Sequence, residues 1–136
     1  MRPDTINQVP ANADHRKHIV IIEDDTDVLF MLELMLTDAG YTVTGYSELS
    51  SLEELMRLQP DCFILDDVLP HVSGHIICIM LKSKPETFKI PVILTSGSDR
   101  LEYMAGLSEP DAAIKKPFDE QQLLQTVELL TAAPYG

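Results

Sequence analysis

His18–Ile19–Val20–Ile21–Ile22–Glu23–Asp24–Asp25 is the stretch that decides the fold. Four consecutive β-branched residues, Ile19 to Ile22, suit a short strand buried on both faces. Three acids close it. From Thr26 the period changes: Val28, Met31, Leu32 and Met35 recur at helical spacing, so the methionines of this helix are expected in the core, and Gly40 stops the helix. The same alternation continues along the chain. Tyr41–Tyr46 alternates as a strand does, and Leu49, Leu52, Leu55, Met56 and Leu58 predict a helix closed by Pro60. Cys62–Leu65 is a second buried strand. Gly74–Ser83 is helical by pattern, with Ile76, Ile77, Met80 and Leu81 expected to face inward. Pro91–Thr95 and Ala112–Ile114 are strands, Asp99–Gly106 a short helix, and Asp119–Leu130 a closing helix with Leu123, Leu124, Val127 and Leu130 on one face. Five βα units predict an α/β fold, a doubly wound parallel sheet with helices on both faces.

The rest of the sequence bounds this reading. A chain of 136 residues suits one domain with a real core. At 45% hydrophobic residues it is too apolar for a disordered acidic chain, so its net charge of -12 belongs to a folded body. That charge repels a nucleic-acid backbone and argues against nucleic acid as a partner. Apolar runs such as Ile19–Ile22 and Val28–Leu32 fall far short of the ~18 residues of a membrane span, and residues 1–16 lack the apolar core expected of a secretory signal. A cytoplasmic location is the expectation. Cys62 and Cys78 lie in apolar contexts and read as buried free thiols of a reduced compartment. Residues 1–16 are polar and aperiodic, a flexible leader; the body spans 17–131, and 132–136 form a short tail. His15, His18, His71 and His75 lack metal-ligand spacing and read as surface or packing residues.

In a parallel doubly wound sheet, ligands collect at the carboxyl ends of the strands. Those ends carry Glu23-Asp24-Asp25, Asp66-Asp67, Thr95-Ser96-Gly97 and Lys115-Lys116-Pro117-Phe118. Several carboxylates, a hydroxyl and an ammonium on one edge suit a divalent cation and a phosphoryl group, not an apolar ligand. Crowded carboxylates repel one another, and a hard dication with oxygen ligands relieves the repulsion. All five acids are expected to converge there.

Ile22-Glu23-Asp24-Asp25, Leu65–Gly74 with its Asp-Asp-Val-Leu-Pro core, Pro91–Gly97 and Lys115–Phe118 together resemble the receiver domain of two-component response regulators. The resemblance covers 17–131. It implies a flavodoxin-like (βα)5 three-layer sandwich with a five-stranded parallel sheet of order 2-1-3-4-5. It also implies roles. Asp66, four residues before Pro70, is the phosphoacceptor. Asp24 binds Mg2+ directly, Glu23 acts through water, and Asp66 and the Val68 carbonyl complete the protein's metal ligands. Ser96, five residues after Pro91, is the hydroxyl switch, and Lys116 precedes a proline to which it is commonly joined by a cis bond. Asp25, Asp67, Thr95 and Lys115 are expected to be bystanders.

Three departures from the family pattern stand out. Ala113 occupies a position that often holds Tyr or Phe. The Ser96–Lys116 stretch is about two residues short, which implies a short or irregular fourth helix. Val68 is apolar where a polar side chain often helps position water, implying a long-lived phosphoryl aspartate. The resemblance implies a stand-alone receiver that takes a phosphoryl group from a sensor histidine kinase or histidine phosphotransfer protein and signals by docking to an output protein, as a monomer or weak homodimer. It is not expected to turn over a diffusible substrate. A receiver-like interaction module that takes no phosphate is the alternative. A dehalogenase-type phosphohydrolase is disfavoured, because Val68 stands where its second acid belongs.

Overall fold

A computed structural model describes residues 16–97 and 101–132, with 101–104 described by backbone only. Most of the leader (1–15), the start of the short helix expected from Asp99 (98–100) and most of the tail (133–136) lie outside the described residues. The elements are β1 (His18–Ile22), α1 (Thr26–Asp38), β2 (Thr42–Tyr46), α2 (Leu52–Leu58), β3 (Cys62–Asp66), α3 (Gly74–Lys82), β4 (Val92–Ser96), α4 (Leu101–Ser108), β5 (Ala112–Lys115) and α5 (Glu120–Thr131). The five strands form one parallel sheet in the order β2-β1-β3-β4-β5. The expected fold class and strand order are those observed.

Successive side chains of a strand point to opposite faces, and the core divides accordingly. On one face Ile19, Ile21, Ile64 and Ile93 pack with Leu32 and Leu36 of α1 and Leu123 and Val127 of α5. On the other, Val20, Ile22, Phe63, Leu65, Val92 and Leu94 pack with Leu55 of α2 and Ile77 and Leu81 of α3. Cys62 belongs to the first cluster and Cys78 to the second, so the sheet separates them and both are free thiols. Burial pushes the Cys62 thiol up to about 12 and that of Cys78 up to about 11.

The buried faces of two helices differ from those expected. In α1 the core residues are Leu29, Leu32, Met35 and Leu36, while Val28 is only half-buried and Met31 is 43% exposed. In α3 the core residues are Ile77, Cys78 and Leu81, whereas Ile76 and Met80 face outward. Both helices are apolar around most of their circumference, so spacing alone does not select a seam. Helix α4 is short, as expected, but regular, and ends two residues later than Gly106.

Local signals explain the helix ends. Asp25 caps α1, accepting from the N–H groups of Asp27 (3.0 Å) and Val28 (3.3 Å), so it is not a bystander. Gly40 has φ +103°, a conformation that favours glycine, and closes α1 as Tyr41 N–H bonds the Leu36 carbonyl. Asp119 caps α5 through Gln121 N–H. Among the described residues no helix is long and apolar enough to cross a membrane.

The observed face of α1 gives a direct test. Leu36→Ala should destabilise the fold by about 2–5 kcal/mol in urea unfolding, because the side chain is fully buried. Leu34→Ala, 56% exposed and two positions away, should change stability by less than about 0.5 kcal/mol.

Candidate phosphoacceptor and metal site

The parallel register brings the strand ends to one edge. Ile22 pairs with Leu65, Asp66 with Thr95 and Ser96 with Lys115, so Glu23, Asp66, Ser96 and Lys116 all arrive at the carboxyl edge. Glu23 and Asp66 are 1% and 5% exposed, unusual burial for carboxylates, and Ser96 is fully buried. Asp24 is exposed. Each of Glu23, Asp24 and Asp66 offers a carboxylate oxygen, and the three oxygens lie within 4.8 Å of one another.

Lys116 holds this group together. Its Nζ lies 2.6 Å from Glu23 Oε1 and 3.4 Å from Asp66 Oδ1. The Lys116–Pro117 bond is cis, as expected. Asp25 N–H donates to Glu23 Oε2 at 3.2 Å, and Val68 N–H reaches Asp66 Oδ1 at 3.4 Å. Burial, together with hydrogen bonding and repulsion from Glu23, raises the Asp66 carboxyl to about 7; Lys116 and the Val68 N–H pull the other way without winning. For Lys116, burial works to lower the value, but the Glu23 hydrogen bond and the charges of Asp66 and Glu23 raise it on balance.

These residues fit a hard divalent cation. Three convergent carboxylates face one lysine, so negative charge is in excess, and the donors are oxygens without thiolate or imidazole among them. Val68 has its side chain 62% exposed, at the rim of the site.

Of the five acids expected to converge, three do. Asp25 caps α1, and Asp67 is buried and turned toward His75, with Oδ1 3.2 Å from Nδ1. The alternation of side chains along a strand separates Asp67 from Asp66 but does not send it to solvent. Thr95 is buried and Lys115 exposed. Two further features escape sequence reasoning. A Cβ at Gly74 would collide with the Asp66 carbonyl oxygen, so a glycine lets α3 start against β3. His75 reaches Asp67 across a loop, a contact that no periodicity announces. The cap at Asp25, by contrast, had a signal: an acid just ahead of an apolar-periodic segment.

The model of the response regulator receiver domain matches residues 19–128, and the chain belongs to that family. It is 35% identical over 115 residues to the response regulator ArlR of Staphylococcus aureus, covering 82% of this chain and 51% of that protein. The chain thus spans about half the length of the curated relatives it matches. Among solved structures it is similar to a putative response regulator from Chloroflexus aurantiacus, with a TM-score of 0.76, 28% identity and coverage of 87% and 99% of the two chains. The receiver domain of a Pseudomonas aeruginosa sensor histidine kinase, described with a magnesium ion coordinated in its active-site cleft, shares the fold at a TM-score of 0.78, with 19% identity and the same coverage.

The raised carboxyl of Asp66 has a consequence for stability. Its folded value, about 7, exceeds the ordinary 3.8, so the native state holds more protons between those limits. This contribution to stability is present at acid pH and is lost as pH rises toward 7. Asp66→Asn should therefore melt higher than wild type at pH 7.5 in EDTA, by roughly 4 °C for each kcal/mol of relieved charge burial and repulsion. The difference should vanish near pH 4. Melting curves across that range check it.

Proposed function

We propose that the chain is a magnesium-dependent phosphoacceptor, and that Asp66 takes a phosphoryl group from a phosphohistidine of a sensor histidine kinase or phosphotransfer protein. The observation that supports this best is the cluster itself: a nearly buried Asp66 beside Glu23, Asp24 and Lys116, at the strand ends of a receiver fold.

In the transfer, an Asp66 carboxylate oxygen attacks phosphorus in line. An O–P bond forms as the N–P bond breaks, and the donor imidazole leaves with its electron pair. The protein contributes chiefly position and charge. Lys116 already lies 3.4 Å from Asp66 Oδ1 and can exchange that contact for one with a phosphoryl oxygen. The Ser96 hydroxyl donates to another phosphoryl oxygen, and its arrival changes the loop after β4. Asp24, Asp66 and the Val68 carbonyl would hold the magnesium ion, which when bound neutralises negative charge on the phosphoryl group. Glu23 has Oε1 on Lys116 and Oε2 on Asp25 N–H, which favours its acting on the ion through water.

The resulting acyl phosphate shifts the population of loop conformations, and a partner protein reads the shift. Ala113 is exposed in β5 with no ring to swing, so the change passes through the Ser96 and Lys116 loops. Turnover is limited to self-phosphorylation and slow hydrolysis, in the cytoplasm.

Incubation with acetyl phosphate and magnesium should add one phosphoryl group to wild type by intact mass. Asp66→Ala should show none; an unmodified wild type would overturn the proposal. Lys116→Ala should still accept phosphate, but its loop amide shifts should no longer follow phosphorylation. Because Val68 offers no polar group to position water, Val68→Asn should shorten the phosphoryl lifetime several-fold in magnesium buffer. A wild-type lifetime of seconds, or no change in the variant, would contradict that assignment.

A further inference from the structure

Asp67, next to the phosphoacceptor in the chain, and His75 form a largely buried polar pair. The Asp67 side chain is 7% exposed and that of His75 13%. His75 Nδ1 lies 3.2 Å from Asp67 Oδ1 and 2.8 Å from Ser73 Oγ. A bare Nδ1 would set its lone pair against the carboxylate oxygen in a poorly solvated place. In the tautomer with a proton on Nδ1, the nitrogen facing Asp67 donates to its carboxylate, with Ser73 Oγ close by.

The position of this pair in the chain gives it a task. Asp67 lies between Asp66 and Val68. Its N–H donates to the Thr95 carbonyl at 2.7 Å, and its carbonyl accepts from Gly74 N–H at 2.9 Å. The side-chain bond to His75 is thus a third tie, from the first turn of α3 back to the residue that follows the acceptor. Val68 cannot anchor itself, since its side chain is largely exposed. Gly74 touches the Asp66 backbone so closely that a shift of the α3 start would be felt at the acceptor.

We infer that the His75–Asp67 hydrogen bond is a latch that fixes the loop between β3 and α3, and that His75 is a positioning residue for the Val68 carbonyl and the Asp66 carboxylate. The latch rests on the phosphoacceptor reading for its purpose, but its effect on the loop stands apart from that reading. Electrostatics alone gives the opposite sign at His75. Removing a group that is neutral or positive near a cation site would leave magnesium affinity unchanged or raise it, whereas loss of the latch lowers it.

Three variants of the full chain separate these cases: His75→Leu, His75→Asn and His75→Gln. Asparagine places an amide N–H near the Nδ1 position; glutamine places it near Nε2. In metal-free protein, amide exchange of Val68 to Ser73 should quicken about tenfold in His75→Leu and His75→Gln, the size expected for one hydrogen bond to a charged group. It should stay within about twofold of wild type in His75→Asn, and core amides of β1 should be unchanged in all three, which shows that the fold is intact. The magnesium dissociation constant by calorimetry should rise roughly tenfold in the same two variants, as for other residues that orient metal ligands. Loop exchange and magnesium affinity near wild type in His75→Leu would overturn the latch, as would equal effects of leucine and asparagine. If wild type itself binds no magnesium, the phosphoacceptor reading fails, and the exchange measurement still decides the latch.

Discussion

The site is built around one frustrated contact: a single ammonium shared between carboxylates that would otherwise repel. Lys116 Nζ sits 2.6 Å from Glu23 and 3.4 Å from Asp66, while Asp24 adds a third oxygen close by. One lysine cannot satisfy three acids, and burial of Glu23 and Asp66 keeps water from making up the difference. The rest of the molecule makes this arrangement possible. Three of the five parallel strands, β1, β3 and β5, deliver the acids and the lysine from segments far apart in sequence, and the two apolar faces of the sheet hold the strands in register. Such a site is poised to exchange its own repulsion for a cation and an anionic ligand, which is the chemistry a phosphoacceptor requires.

Much of this is legible in the sequence, for a physical reason. A strand buried on both faces leaves little room for polar residues, so the acids after Ile22 and Leu65 and the hydroxyl after Thr95 mark the carboxyl ends of the strands. Strand order and the coming together of Glu23, Asp24, Asp66 and Lys116 follow from that punctuation and the resemblance it supports. Helix faces are less legible. The apolar residues of α1 and α3 nearly encircle their helices, and only packing against the sheet chooses Leu36 over Met31, or Ile77 over Ile76.

Long-range polar contacts are the least legible. Asp67 reads as the bystander beside a functional acid, and His75 as one of four scattered histidines. Their hydrogen bond depends on how the loop after β3 folds back onto α3, which depends in turn on Gly74 lying against β3. The excess of negative charge resolves in the same way. Part of it is the Glu23–Asp24–Asp66 cluster, part caps helices at Asp25 and Asp119, and Asp67 is paired within the fold.

The account turns on whether burial, together with the Glu23 carboxylate, raises the Asp66 carboxyl before any ligand arrives. Carbon-13 NMR of the Asp66 side-chain carboxyl, titrated with and without magnesium, measures this directly. The predicted result is a midpoint near 7 in the metal-free protein, falling as magnesium saturates the site. A metal-free midpoint at the ordinary value, unmoved by magnesium, would contradict it.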